Sequence, residues 1–169
     1  MAEIAWRRRK YSRYGVGVVN KLRIYLDCCC FNRPFDDLLH DKIRFECEAV
    51  LAILKKCDDG LWNVLRSDVL DDEIARITNP IKKLKVLMLY SSASCHIEIN
   101  DEIIGMAKDF QQKLKVKPFD ALHLACATYA DADILLTTDK KFLSRASCID
   151  AKIKVANPAT WLMEVMFYD

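Results

Sequence analysis

The stretch DILLTTDKKFL, Asp133 to Leu143, decides the architecture of this chain. Ile134, Leu135 and Leu136 follow one another without polar interruption, as in a strand buried on both faces. Strands of that kind belong to parallel sheets covered by helices. The two threonines carry the strand to Asp139, after which KKFLSRA reads as a short helix. Just upstream, Pro118 sits near the start of PFDALHLACATYA, an apolar-faced helix. Downstream, IKVA (153–156) is a last strand, and Asn157 caps a terminal helix over NPATWLMEVM.

The same alternation extends to the N-terminal side. LRIYL (22–26) is a buried strand ending at Asp27, LWNVL (61–65) a second and HIEI (96–99) a short third. Residues 36–57 place Ile43, Cys47, Val50, Leu51 and Leu54 at helical spacing, with Gly60 as a stop signal. Ser67 stands as N-cap before DVLDDEIARI, whose acids favour the first turns of a helix. Asn79-Pro80 opens a helix with Ile81, Leu84, Leu87 and Met88 on one face. Asn100 or Asp101 caps another, bearing Ile103, Ile104, Ala107 and Leu114. Short strands alternating with helices predict an α/β fold, a three-layer α/β/α sandwich around a central parallel sheet.

At 169 residues the chain is one domain's worth of sequence, with a core of useful size. Its net charge of +2 is unevenly spread: residues 1–23 hold seven Lys and Arg against Glu3, a balance of +6, which leaves −4 for the rest. Residues 1–20 read as a basic N-terminal extension, either flexible or a start-site artefact with the natural chain beginning near Val19. Residues 21–169 read as a single domain. Arg7, Arg8 and Arg9 suit contact with nucleic-acid phosphates, or belong to a leader of no consequence. No apolar run approaches the roughly 20 residues needed to cross a bilayer, and RRRKYSRYGVGVV lacks the apolar segment of a secretory signal. Eight cysteines on such a chain predict reduced thiols and a cytoplasmic location, with no membrane partner.

Acids stand at the places where a sheet of this kind binds ligands, outside the carboxyl ends of its strands. Asp27 and Asp139 each follow a strand, Glu73 lies about two turns into the helix after the second strand, and Asp120 is in the first turn of its helix. Four carboxylates brought together repel, and a divalent cation removes the conflict. Oxygen-only ligands favour Mg²⁺ or Mn²⁺, and such a centre hydrolyses phosphodiesters. A strand-terminal Asp is equally a turn former or helix cap, so spacing alone leaves both readings open.

RIYLD with NRPFDD, then SDVLDDEI, KPFDALHLACA and DILLTTDKKFL, resembles the PIN-domain family over about residues 22 to 165. These are small ribonuclease-like domains, many of them VapC-type toxins of toxin–antitoxin pairs. The resemblance implies that Asp27, Glu73, Asp120 and Asp139 are catalytic acids binding one or two Mg²⁺ or Mn²⁺ ions for RNA cleavage. It further implies that Thr138 is a hydroxyl residue beside them, and that RNA, an antitoxin protein and a second copy in a homodimer are partners. The family usually has Thr and then Ser or Asn after the first Asp, where this chain has Cys28 and Cys29. Cys29 therefore stands beside the site in place of an oxygen-bearing side chain.

Lys117, Lys140 and Arg145 flank the acids and are candidates for substrate contact, with Lys141 beside them. Asp72 points about 100° away from Glu73 on a helix, so one of the two faces the pocket. A zinc site at Cys28, Cys29 and Cys30 is disfavoured, because the triplet lacks paired C-x₂₋₄-C spacing and alternate side chains diverge along extended backbone. His123 reads as a packed or hydrogen-bonded structural residue, and His40 and His96 as surface residues without evident partners. A second function stands beside ribonuclease activity: a catalytically weak or inactive PIN-like module that acts by binding a partner protein or RNA.

Overall fold

The computed structural model describes residues 21–147 and 153–167. The basic stretch 1–20, with its three consecutive arginines, lies outside the described residues. Five strands, β1 (Leu22–Leu26), β2 (Trp62–Ser67), β3 (Cys95–Ile97), β4 (Ile134–Leu136) and β5 (Lys154–Ala156), form one sheet in the order β3-β2-β1-β4-β5. Every neighbouring pair is parallel. Ile24, Tyr25 and Leu26 are fully buried, as are Leu135 and Leu136, which is why these runs lack the alternation of a one-sided strand.

Among the described residues eight helices flank the sheet, completing the α/β/α arrangement: α1 (Cys28–Asn32), α2 (Asp41–Asp58), α3 (Asp68–Ala75), α4 (Pro80–Tyr90), α5 (Asp101–Leu114), α6 (Pro118–Tyr129), α7 (Lys140–Ala146) and α8 (Pro158–Met166). Four begin at the polar residues that the sequence marks as caps. Ser67, Asn79, Asn100 and Asn157 each accept a hydrogen bond from a backbone N–H of the first turn. Gly60, at φ +73°, stands just past the end of α2, in the left-handed conformation that glycine adopts without penalty.

Three local expectations change. The cysteine triplet is helical, because the Asp27 side chain accepts from Cys29 N and starts α1 directly after β1. The helix expected from residue 36 begins at Asp41, since Pro34 sits in a 3₁₀ turn, Arg33–Phe35, that intervenes. In α4 the stripe Ile81, Leu84, Leu87 and Met88 faces outward, while Val86 and Tyr90 enter the core. Helical periodicity identifies an apolar face; it does not say whether the face lies inward.

One buried charge ties the helical layer to the C-terminal helix. Glu46 on α2 is 1% exposed. Its Oε1 accepts from Asn157 Nδ2 at 2.7 Å and meets Lys42 Nζ at 3.2 Å, while Arg33 Nε lies 3.0 Å from Oε2. The Arg33 contact is close but off the hydrogen-bond line, so it acts through charge. Asn157 also caps α8, so a single amide joins Glu46 to that helix.

Candidate active site

Strand order reverses between β1 and β4, and the acids gather at that point, past the carboxyl ends of both strands. Asp27 follows β1 directly. Its backbone N–H donates to Leu136 O at 2.9 Å, which locks the ends of β1 and β4 together. Its side chain, almost fully buried, accepts from Thr137 Oγ1 at 2.6 Å through Oδ2. Asp139 caps α7, its Oδ1 accepting from Lys141 N at 2.8 Å and Phe142 N at 3.2 Å.

Glu73 enters from α3 and Asp120 from the first turn of α6. Of the acids around Glu73, Asp72 is exposed and pairs with Arg76 at 2.8 Å, and Asp71 lies 3.5 Å from Arg66. Glu73 alone of the three reaches His123, whose Nε2 is 2.6 Å from Glu73 Oε2 and 3.6 Å from Asp27 Oδ1. Ligand atoms of Asp27, Glu73 and His123 all lie within 4.8 Å of one another, close enough to share one metal ion. Asp120 and Asp139 stand outside that group; Asp120 acts on His123 through its charge, and Asp139 acts on Asp120.

The electrostatics follow from this crowding. Burial raises the Asp120 carboxyl above its ordinary value, and repulsion from Asp27 and Asp139 adds to the shift, while Lys117 opposes it. Burial disfavours the charged form of His123, but Asp27 and Glu73 outweigh it and raise the imidazole overall. Burial would raise Asp139 too, yet its backbone donors and Lys117, 3.4 Å away, hold it below the usual carboxylate range.

Threonines at the end of β4 divide the polar work. Thr137, not singled out from the sequence, donates to Asp27, accepts from Asp139 N at 3.1 Å and contacts Cys29 Sγ at 3.2 Å. Thr138 donates its backbone N–H to Cys29 Sγ at 3.2 Å, and its buried Oγ1 has no hydrogen-bond partner. Because the Thr137 proton goes to Asp27, the Cys29 thiol must be the donor toward Thr137. Cys29 thus touches the threonine that holds Asp27. Cys28 and Cys30 are buried thiols whose acidity burial suppresses, and the seven described cysteines are free.

Beside the acids lies a cleft of about 410 Å³, lined by Lys115, Lys117, Lys140, Lys141 and Arg145 with Asp120 at one side. Lys117, Lys140 and Arg145 are therefore neighbours in one basic groove. The remaining histidines differ from each other: His40 precedes α2 without capping it, whereas His96 is 2.8 Å from Asp68 and 3.9 Å from Asp71. The parallel pairing of β3 with β2 puts His96 level with Arg66, close to the start of α3, which supplies those partners.

Comparison with known proteins agrees with the fold. The family model of the PIN domain matches residues 24–147. No curated protein matches the chain in sequence. Among solved structures, VapBC2 from Rickettsia felis, bound to a DNA fragment from its promoter, is similar with a TM-score of 0.53 at 14% identity, over 80% of this chain and 98% of that one. PAE2754 from Pyrobaculum aerophilum is similar with a TM-score of 0.50 at 11% identity, over 87% and 98%.

Proposed function

Because the chain belongs to the PIN-domain family, we propose that it is a metal-dependent endoribonuclease. In this reading Asp27, Glu73, Asp120 and Asp139 hold Mg²⁺ or Mn²⁺. The observation that carries it is the crowding of acids at the β1–β4 switch with one of them, Asp120, pushed toward protonation. The donor set fits a hard cation: the four acids offer carboxylate oxygens, and the His123 imidazole stands beside Asp27 and Glu73. When bound, the ion supplies charge neutralisation for the phosphodiester and acidifies water.

The chain's own residues do the rest. Thr137 orients Asp27 through Oδ2, and the α7 N-terminus fixes Asp139. Lys115, Lys117, Lys140, Lys141 and Arg145 offer positive charge to a phosphate backbone running past Asp120. RNA in preference to DNA rests on the family resemblance. So do a cytoplasmic site of action, a toxin role and an antitoxin partner. No described helix is long and apolar enough to cross a membrane. The exposed stripe of Ile81, Leu84, Leu87 and Met88 supports a protein partner, a second copy or an antitoxin.

The direct test incubates the protein with single-stranded and structured RNA, with Mg²⁺, Mn²⁺ or EDTA. Cleavage with either ion and none in EDTA is expected, and cleavage that survives EDTA refutes the metal reading. Tight capture of RNA or a partner peptide without cleavage favours the binding-module alternative.

Contrasting two side-chain changes separates Thr137 from Cys29. Thr137→Val removes the hydroxyl that holds Asp27 and lowers cleavage by about 10–100-fold, the usual cost of losing such a supporting contact. Cys29→Ser keeps a donor toward Thr137 and an acceptor for Thr138 N, so its rate stays within a few-fold of wild type. A large gain in the serine variant would instead mean that the cysteine quietens the enzyme.

A further inference from the structure

Ser67, Tyr25 and His123 form a buried chain that leads from the start of α3 into the acidic site. Ser67 Oγ accepts from Leu70 N at 3.2 Å, Tyr25 Oη lies 2.7 Å from Ser67 Oγ and 2.9 Å from His123 Nδ1, and His123 Nε2 reaches Glu73. All three residues are at most 1% exposed, so water does not compete for these positions.

The direction of the chain follows from its protons. With Glu73 ionised, the 2.6 Å contact between Nε2 and its carboxylate oxygen is a charge-assisted hydrogen bond that Nε2 donates. In the neutral ring Nδ1 is then bare and accepts from Tyr25. Tyr25 has only one proton to give, so its contact with Ser67 is filled by the serine hydroxyl, whose oxygen already takes the Leu70 N–H. Cys126, beside Tyr25, stays a thiol because burial pushes it up to about 12, so it adds a weak donor and no base. Every donor and acceptor is used once.

A histidine that merely fills the core needs no such arrangement. Among the described residues His123 is the group that hydrogen-bonds the Glu73 carboxylate, and the same nitrogen faces Asp27. Ser67 is also the N-cap of α3, the helix that carries Glu73. The chain therefore grips α3 at its N-cap and again at Glu73.

We propose that His123 is a positioning residue: held by Tyr25 and Ser67, it aims the Glu73 carboxylate at Asp27, so that the two acids stand ready for one ion. This rests on the metal reading above and assigns the imidazole to Glu73 rather than to the ion.

Three measurements test it. The ¹⁵N shifts of His123, taken in the alkaline limit of its titration, are expected to show a protonated Nε2 and a bare Nδ1. Mn²⁺ titration by calorimetry is expected to show binding about 10–100-fold weaker in Tyr25→Phe than in wild type, with thermal melting in EDTA confirming that the variant is folded. Pulsed EPR of Mn²⁺ bound to the wild type is expected to lack the ¹⁴N coupling of a directly bound imidazole. A protonated Nδ1 tautomer, an unchanged Mn²⁺ affinity in folded Tyr25→Phe, or strong ¹⁴N coupling overturns the inference and leaves the metal reading standing. Failure of wild type to bind Mn²⁺ overturns both. Should Tyr25→Phe not fold, the two wild-type measurements decide.

Discussion

Asp120→Asn lowers RNA cleavage by about 10²–10³-fold, the scale of losing one electrostatic group aimed at the reacting centre, while making the metal-free protein more stable. The opposed effects share one cause. Asp120 is half-buried on α6, and burial together with Asp27 and Asp139 raises its carboxyl above the ordinary value. A raised carboxyl favours folding in its protonated form, so that stability is full below the unfolded value of about 3.9 and is lost as pH rises through the folded value. Asparagine suffers no such loss. In EDTA the variant therefore gains on the wild type with increasing pH, by on the order of 1 kcal/mol at neutrality, or about 2–4 °C in melting temperature. Adding Mn²⁺ at 100 times its Kd returns about 2.7 kcal/mol to the wild type and less to the variant, reversing their order. Thermal melts from pH 4 to 8, with EDTA and with Mn²⁺, read both effects. Equal stability in EDTA across that range would refute the electrostatic argument.

Arg33→Met costs about 3 kcal/mol, the low end for removing one partner of a buried ion pair, and lowers the melting temperature by about 6–12 °C. The expectation is at the low end because Lys42 and Asn157 still face Glu46. Arg33 itself keeps a second tie, to Asp36 at 3.0 Å, which the substitution also removes. What makes the change costly is the carboxylate it strands, since Glu46 is almost wholly cut off from water. Converting Glu46 to Met in the same chain should restore most of the loss, because apolar residues of similar volume replace buried pairs at little cost. Urea denaturation of the two single variants and the double variant gives the coupling. Additive losses would show that the pair does not act as a unit.

Much of this site was legible in the residue order. Asp27 announces itself because an acid that directly follows a buried strand lies at the carboxyl end of a parallel sheet; Asp139 lies at the same end although β4 stops at Leu136, two threonines earlier than its sequence suggests. Ser67, Asn79, Asn100 and Asn157 were readable because capping is a local interaction, complete within four residues. The misses are non-local. Tyr25 sits in an apolar run that reads as plain core, and its partners are 42 and 98 residues away. Thr137 and Thr138 are adjacent and chemically identical, and a shift of one residue along extended backbone turns a side chain to the opposite face. Only the placement of Asp27 and Cys29 shows which hydroxyl meets the acid. The outward-facing stripe on α4 fails for a related reason: the inward side was set by Tyr90, whose hydroxyl reaches Ser67 on β2.

The parallel order β3-β2-β1-β4-β5 also sets a timetable. Parallel neighbours cannot be joined by tight turns, and β1 pairs with a strand that begins more than a hundred residues later. The chain from Asp27 to Asp139 spans 112 residues, which at 5–20 residues per second takes a ribosome about 6–22 s to make. Throughout that interval the first acid exists without the last, and the basic groove that depends on α7 does not exist either. A domain proposed to cut RNA thus lacks a complete acidic site for most of the time it is being made on a machine built largely of RNA.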